Sequence, residues 1–300
     1  MKPIDIVILT EDRYIKPAVI NEYNKNILLE DQLVFDAIKK EGLHVERKSW
    51  SDPNFSWETT KYIIFRTTWD YFDRYEEFSE WLKDVSTKTK LLNSANIINW
   101  NIDKHYLIDI KEKGVHICES YFIEKETTTT LAELHKQLGW EKTVLKPCIS
   151  GSARHTYKLE LATLEKHEVV FQELISNEAM MLQPFQENII TQGEYSFILI
   201  NGKYTHAVLK VAKPGDFRVQ DDFGGTVHNH KATKEEISFA ENAVKACIEK
   251  PMYARVDVIM DNNNKLAISE IELIEPELWF RKHHNAAVLL ARAIKKLIST

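Results

Sequence analysis

Two stretches late in the sequence carry more charge than a strand needs to stay in solution. They are Tyr253-Ala-Arg-Val-Asp-Val-Ile-Met260 and Leu266-Ala-Ile-Ser-Glu-Ile-Glu-Leu-Ile-Glu-Pro276, with the turn-forming run Asp261-Asn-Asn-Asn264 between them. The strand period of two puts Arg255 and Asp257 on one face, and Glu270 and Glu272 on one face of the next strand. A hairpin through the turn would bring Asp257 within a residue or two of Glu270. Carboxylates that close repel one another unless a cation sits between them. A hard divalent ion is the usual answer, with Mg²⁺ held by a few carboxylates and by substrate phosphates. Arg255 beside them suits stabilisation of a phosphoryl group in transfer. A solvated strand face also alternates charge; the density of acids and their apolar neighbours count against that reading here.

Other segments supply the complementary charge. Lys146 ends the apolar run Val144-Leu145 and precedes the small-residue loop Ser150-Gly151-Ser-Ala-Arg154. A lysine so placed can hold a phosphate while loop amides close over it, although a strand-end lysine can equally snorkel at a surface. Met180-Met-Leu-Gln183-Pro184-Phe185 offers an extended backbone that can read an adenine edge, or serves only as a core strand stopped by proline. Lys210 and Lys213 are candidate phosphate contacts, and Arg218, in Gly215-Asp-Phe-Arg-Val-Gln220, a candidate carboxylate clamp. Arg66 and Asp70 fall just past an apolar strand, where ligands of open α/β sheets bind.

Positioning these residues requires two kinds of sheet. From Ile4 to about Val85, short apolar runs (Ile4–Leu9, Val45–Trp50, Tyr62–Phe65) alternate with helical patterns at Leu28–Glu41 and Glu76–Val85. That alternation predicts a parallel βαβ sheet. A helix is expected over Lys104–Lys113. From Thr143 strands dominate, paired as hairpins around Asn201-Gly202 and Asp261–Asn264. Helices at Leu131–Leu138, Leu161–Ser176 and Lys234–Lys250 interrupt them, and one at Asn285–Leu297 closes the chain. Thr127–Thr130 reads as a loop leading into a helix. No internal repeat is visible.

The bulk properties exclude several classes. The 300 residues, 44% hydrophobic and 28% charged with 9 Gly and 8 Pro, suit a globular chain of two or three subdomains. A net charge of -6 argues against a nucleic-acid partner. Cys118, Cys148 and Cys247 are far apart, with no CxxC pair, which argues against disulfides and structural zinc. Asp5 interrupts the first apolar run, so no signal peptide is expected, and no window is long enough to span a membrane. The expected location is cytoplasmic.

Taken in order, these motifs resemble the ATP-grasp superfamily over nearly the whole chain. The resemblance is closest to the branch that contains the D-cycloserine-forming O-ureido-D-serine cyclo-ligase, through Arg66-Thr-Thr-Trp-Asp-Tyr71, Asn99-Trp-Asn-Ile-Asp-Lys104, Gly215–Gln220, Tyr253–Asp257 and Glu270–Pro276. Glutathione-synthetase-like and RimK-like carboxylate–amine ligases are more distant. The resemblance implies an α/β (α+β) ATP-grasp fold: a Rossmann-like N-terminal domain over 1–95, then two α+β subdomains over 96–185 and 186–300 that clasp ATP. It implies that Lys104, Lys146 and Gly151 contact nucleotide phosphates, that Gln183, Pro184 and Phe185 face adenine and Glu187 ribose, and that Asp257, Glu270 and Glu272 hold Mg²⁺, with Mn²⁺ as a substitute. Arg255 and Lys210 would steady the moving phosphate. Arg66, Asp70, Arg218 and Gly225 are the candidates for a small carboxylate, amino-acid-like substrate. Many superfamily members have Asn where this chain has Glu272. The loops 150–154 and 213–225 would act as lids, and a homodimer is expected.

The implied reaction activates a carboxylate as an acyl phosphate and passes it to an amine-type nucleophile, within one molecule as in the cyclo-ligases or between two. A non-catalytic nucleotide-binding regulator with the same fold is the alternative of another class; the full set of charged residues argues against it. A Rossmann dehydrogenase carries little weight, because Leu9-Thr-Glu-Asp12 stands where GxGxxG would follow the first strand. Cys148 has no evident general base, His228 and His230 lack further metal ligands, and the tryptophans sit in amphipathic patterns.

Overall fold

The structure, a computed structural model, describes residues 3–219 and 223–299; Gln220, at the end of one expected motif, lies outside them. The N-terminal segment forms β1 (Ile4–Thr10), α1 (Asp12–Ile15), α2 (Glu22–Lys40), β2 (Val45–Ser49), β3 (Thr60–Thr67), α3 (Tyr75–Lys88) and β4 (Lys90–Leu92). Its sheet has the order β2-β1-β3-β4 and is parallel throughout. β1 is apolar on both faces because both are covered. Ile6 and Ile8 join the core under α2, while Val7 and Leu9 join the opposite core with Phe78, Leu82 and Val85 of α3. Helix α2 starts six residues before the apolar periodicity because Asn21 caps it, accepting from the Asn24 N–H at 2.8 Å.

The stretch expected as one helix over Lys104–Lys113 is shorter and has a neighbour. Ser94 caps α4 (Ala95–Asn101), and α5 runs over Tyr106–Glu112. Between them the Lys104 N–H donates to Cys148 O at 3.0 Å instead of to a helical carbonyl. That bond turns the chain and aims the Lys104 side chain inward.

A second, antiparallel sheet has the order β5-β8-β6-β7, from β5 (Tyr121–Ile123), β6 (Lys142–Pro147), β7 (Tyr157–Glu160) and β8 (Met180–Pro184). Helices α6 (Leu131–Leu138) and α7 (Glu165–Asn177) cover one face of it. Thr130, last of the threonine run, closes a reciprocal capping box with Glu133. Helix α7 begins after a 3₁₀ turn over Leu161–Thr163, so it is shorter than its pattern predicts.

After α8 (Asn188–Gln192), the third sheet has the order β11-β10-β9-β12-β13 and is also antiparallel. Its strands are β9 (Glu194–Ile200), β10 (Lys203–Val211), β11 (Thr226–His230), β12 (Tyr253–Met260) and β13 (Leu266–Glu272), with α9 (Lys234–Lys245) between β11 and β12. Asn201 and Gly202 have φ of 51° and 74°, the pair of left-handed conformations a tight hairpin requires. The last helix, α10 (His284–Ile298), returns to the N-terminal layer: Ala286, Leu290 and Ile294 share a core with Ile6, Val34 and Ile38. No helix among the described residues is long and apolar enough to cross a membrane.

Candidate active site

The antiparallel pairing of β12 with β13 sets Asp257 opposite Glu270 and Arg255 opposite Glu272, as strand alternation requires. All four side chains line one deep cleft where the three sheets meet. Neighbouring β9 and β10 add Glu194 and Lys210. The Lys210 ammonium lies 2.6 Å from Glu194 Oε2 and 3.2 Å from Asp257 Oδ2. Arg255 donates to both Asp257 oxygens, at 3.0 and 2.8 Å, and closely to Glu272. Ser196 also donates to Asp257. Trp279 lies beneath the two cations, its ring centroid 5.2 Å from the Arg255 guanidinium and 5.8 Å from the Lys210 ammonium.

Electrostatics distinguish the acids. Burial opposes charge on Asp257, but Arg255 and Lys210 override it and hold the carboxyl below its usual range. Glu272 goes the other way: burial, with Glu270 and Asp257 alongside, pushes it up to about 7 despite Arg255. Three acids in mutual repulsion, all oxygen donors, are a donor set fitted to a hard divalent ion.

The opposite wall belongs to the second sheet. Lys104 donates to Ser150 O at 2.7 Å and lies 3.0 Å from Glu270 Oε1. Burial would lower its pKa, and Glu270 raises it instead. Lys146 also lines the cleft, makes no ion pair among the described residues, and is held below its usual value by burial. A half-buried ammonium that makes no ion pair is suited to a phosphate. Gln183, Pro184 and Phe185 line the same wall, with Gln183 donating to Ser120 Oγ at 2.9 Å. Gly151 lies against Phe72, where an added Cβ would meet the ring at 2.5 Å. Arg218 lines the cleft and is bound to Asp216 at 2.8 Å.

The remaining expected residues stand elsewhere. Glu187 pairs with Lys142 at 2.8 Å, away from the cleft lining. Arg66 is buried behind the cleft wall, donating to Pro276 O at 3.0 Å, and Asp70 accepts from Trp50 and Arg74. Gly225 is not among the lining residues. Sequence reasoning missed Glu194, Tyr71, Trp69, Glu275 and Glu277, all of which line the cleft. Glu194 was readable as the first inward position of β9; the others depend on loops. His228 contacts Thr226 and His230 contacts Glu236. Asp103, His105 and Cys148 converge outside the cleft, but both His105 ring nitrogens already face carboxylates, of Asp103 and Glu124.

Comparison with known proteins agrees with this architecture. Residues 6–93 match the N-terminal domain of D-cycloserine synthetase DcsG, and residues 118–277 match the ATP-grasp domain of prokaryotic glutathione synthetase. The chain is 25% identical over 282 residues to the cycloserine biosynthesis protein DcsG of Streptomyces lavendulae, covering 87% of this chain and 91% of that one. The crystal structure of D-cycloserine synthetase DcsG superposes with a TM-score of 0.83 at 22% identity, covering 98% of this chain and 99% of that one. A D-alanine–D-alanine ligase from Bacillus anthracis gives 0.65 at 12% identity, covering 99% and 97%. ATP-grasp enzymes use ATP and a divalent metal. With more than half its length matched by the glutathione-synthetase ATP-grasp domain, the chain belongs to that family and is an ATP-grasp ligase.

Proposed function

We propose that this ligase uses Mg²⁺ and ATP to convert a small-molecule carboxylate to an acyl phosphate, with release of ADP, and couples it to an amine-type nucleophile. The observation that carries this reading is the convergence of Lys104, Lys146, Lys210 and Arg255 with Asp257, Glu270 and Glu272 on one cleft. A free carboxylate is a poor acyl donor because oxide would have to leave; phosphorylation supplies phosphate as the leaving group. When bound, the metal would neutralise charge on the phosphates, and the three acids are the residues that would hold it. Lys104 and Lys146 hold the nucleotide phosphates. Arg255 and Lys210 present donors where negative charge moves during transfer. Gln183 through Phe185 contact the base. Loop 150–154, pressed against Phe72, keeps water from the acyl phosphate.

The likeness to a cycloserine biosynthesis protein supports ring closure within one molecule as the form of coupling. Three free, buried thiols fit a reducing cytoplasmic setting. The test measures ADP release from Mg-ATP with a panel of amino acids, ureido acids and amino-oxy acids, for the wild type and Glu270→Gln. Substrate-dependent ADP formation that the substitution abolishes is expected. Failure of the wild type to bind Mg-ATP would end this reading.

A further inference from the structure

A second group of ligand-type side chains lies outside the main cleft, on the far side of the turn that carries Lys104. Asp103 and His105 flank Lys104 between α4 and α5, Cys148 follows the last residue of β6, and Glu124 the last of β5. One ligand atom each of Asp103, His105 and Cys148 lies within 4.8 Å of the other two. None of the four residues lines the main cleft. Backbone bonds fix the segments that carry them. The Lys104 N–H donates to Cys148 O at 3.0 Å, the Cys148 N–H to Ala179 O at 2.9 Å, and the His105 N–H to Asp103 Oδ1 at 3.0 Å. The His105 ring also stacks on Phe122, with centroids 4.3 Å apart.

The two carboxylates on His105 do not satisfy it; they create a demand. Nδ1 is 2.5 Å from Asp103 Oδ1 and Nε2 is 3.1 Å from Glu124 Oε1. A neutral ring has one N–H, so it donates to one acid and turns a lone pair towards the other. With Nε2–H given to Glu124, the Nδ1 lone pair faces the Asp103 oxygen, and the Cys148 sulfur lies beside both. Electron-pair donors gathered in this way call for a cation among them. A histidine whose outer nitrogen is held by a carboxylate is the usual arrangement at a metal. An open groove of about 490 Å³ reaches the place; its lining includes Asp103, His105, Asp109 and Glu124 and, among the described residues, no lysine or arginine. Sulfur, imidazole and carboxylate together select a borderline transition metal over Mg²⁺, which takes oxygen ligands. We infer that Asp103, His105 and Cys148 form a site for Zn²⁺ or a metal of that class, with Glu124 orienting His105, behind the nucleotide wall of the cleft. Zinc bonds of roughly 2.0–2.3 Å set tetrahedral donors about 3.5 Å apart. Asp103 and His105, both half-buried, have room to open to that spacing. Cys148 releases its thiol proton to solvent as the metal–sulfur bond forms. The ion clamps the turn of Lys104 to the end of β6, two residues beyond Lys146. The inference goes beyond the ligase reading and does not depend on it.

The test titrates the full chain with Co²⁺, a spectroscopic stand-in for Zn²⁺, in excess Mg²⁺, without ATP and with a phosphine reductant. One equivalent is expected to raise a thiolate-to-cobalt charge-transfer band in the near ultraviolet, and one equivalent of Zn²⁺ to abolish it. The carboxylates of the main cleft, which are oxygen ligands, give no such band. Cys148→Ser is expected to lose the band, whereas Cys118→Ser and Cys247→Ser keep it. Glu124→Gln retains every ligand and removes only the carboxylate behind the imidazole, so Zn²⁺ binding should weaken about 10-fold. His105→Ala and Asp103→Asn, which remove ligands, should weaken it further. These two half-buried positions carry the test if Cys148→Ser does not fold. No band in the wild type at saturating Co²⁺, a band that persists in Cys148→Ser, or unchanged affinity in both His105→Ala and Asp103→Asn would overturn the inference. His105 would then be a structural bridge between two carboxylates.

Discussion

The cleft has two halves that are built differently. The phosphate and metal half stands on regular strands: Lys146 on β6, Lys210 on β10, Arg255 and Asp257 on β12, Glu270 and Glu272 on β13. Each is held by strand pairing, and each acid has a cation beside it. The substrate half is made of chain ends and loops. Residues 66–72 form the end of β3 and the loop after it, residues 273–281 follow β13, and they are joined by hydrogen bonds from Arg66 and Trp69 to carbonyls more than 200 positions away. Strand geometry fixes charge to within an ångström; loops let the organic substrate vary while the nucleotide chemistry stays the same.

If the halves are separable, changes in each should leave different kinetic signatures. The largest effect belongs to Asp257→Asn. It removes an acid that contacts both Lys210 and Arg255, so kcat should fall about 10³-fold, equivalent to roughly 4 kcal/mol of lost electrostatic stabilisation. The loss should be the same with every substrate of the panel. A loss that depended on the substrate would break the separation.

Arg66→Met probes the other half. The side chain is 1% exposed, and its loss leaves the Pro276 carbonyl without its donor. A cost of about 2 kcal/mol in urea unfolding is expected. KM for the organic substrate should rise and KM for ATP should not. An unchanged substrate KM would mean that the loop around Glu275 holds its shape without this brace.

The same contrast explains what the sequence made legible. Strand period alone placed Arg255, Asp257, Glu270 and Glu272 on a common surface, and the observed register agrees. The helix expected over Lys104–Lys113 is present but starts two residues later, at Tyr106, and the Lys104 N–H donates to Cys148 O, 44 positions away in sequence, a contact that no local pattern encodes. Asp70 falls beyond the end of β3 as expected, but Arg66 is still within the strand and is buried, and Asp70 is taken up by Trp50 and Arg74. Burial of Arg66 follows from a carbonyl and a ring, Phe280, that come from the far end of the chain. Glu275 was visible as one more acid in a run of acids. Its place in the cleft lining is a property of the assembled chain and has no trace in residue type or spacing.

Acid should loosen the substrate half first. His206 on β10 holds the loop beyond Glu275: Nε2 is 3.0 Å from Leu278 O and Nδ1 is 2.9 Å from Thr205 Oγ1. Neutral imidazole satisfies the Leu278 carbonyl by donating from Nε2. Burial, then the stacked His283, pushes its pKa from an ordinary 6.5 down to about 4. The folded state thus binds this proton less tightly than the unfolded chain does. The stabilisation is complete above pH 6.5 and is lost as pH falls towards 4. Between pH 7 and pH 5 the loss should reach about 2 kcal/mol, seen as a falling urea midpoint that flattens in His206→Gln. The same slope in the variant would assign the acid sensitivity to other groups.

The smallest effect tests whether the halves are independent at all. Gly151 belongs to the nucleotide half and Phe72 to the substrate half, and they touch. In Gly151→Ala the new methyl would lie 2.5 Å from a Phe72 ring carbon, closer than carbon atoms tolerate, so the loop or the ring must move. If the loop yields, phosphate contacts loosen and KM for ATP rises about tenfold, close to 1.4 kcal/mol. If the ring yields, KM for the organic substrate rises instead. Phe72→Leu removes part of the obstructing ring, so the double variant Gly151→Ala/Phe72→Leu should recover most of the lost affinity and show a coupling energy of about 1 kcal/mol. Additive effects would mean that the two halves act independently even where they touch. Coupling would make this contact the point at which nucleotide closure senses an occupied substrate site.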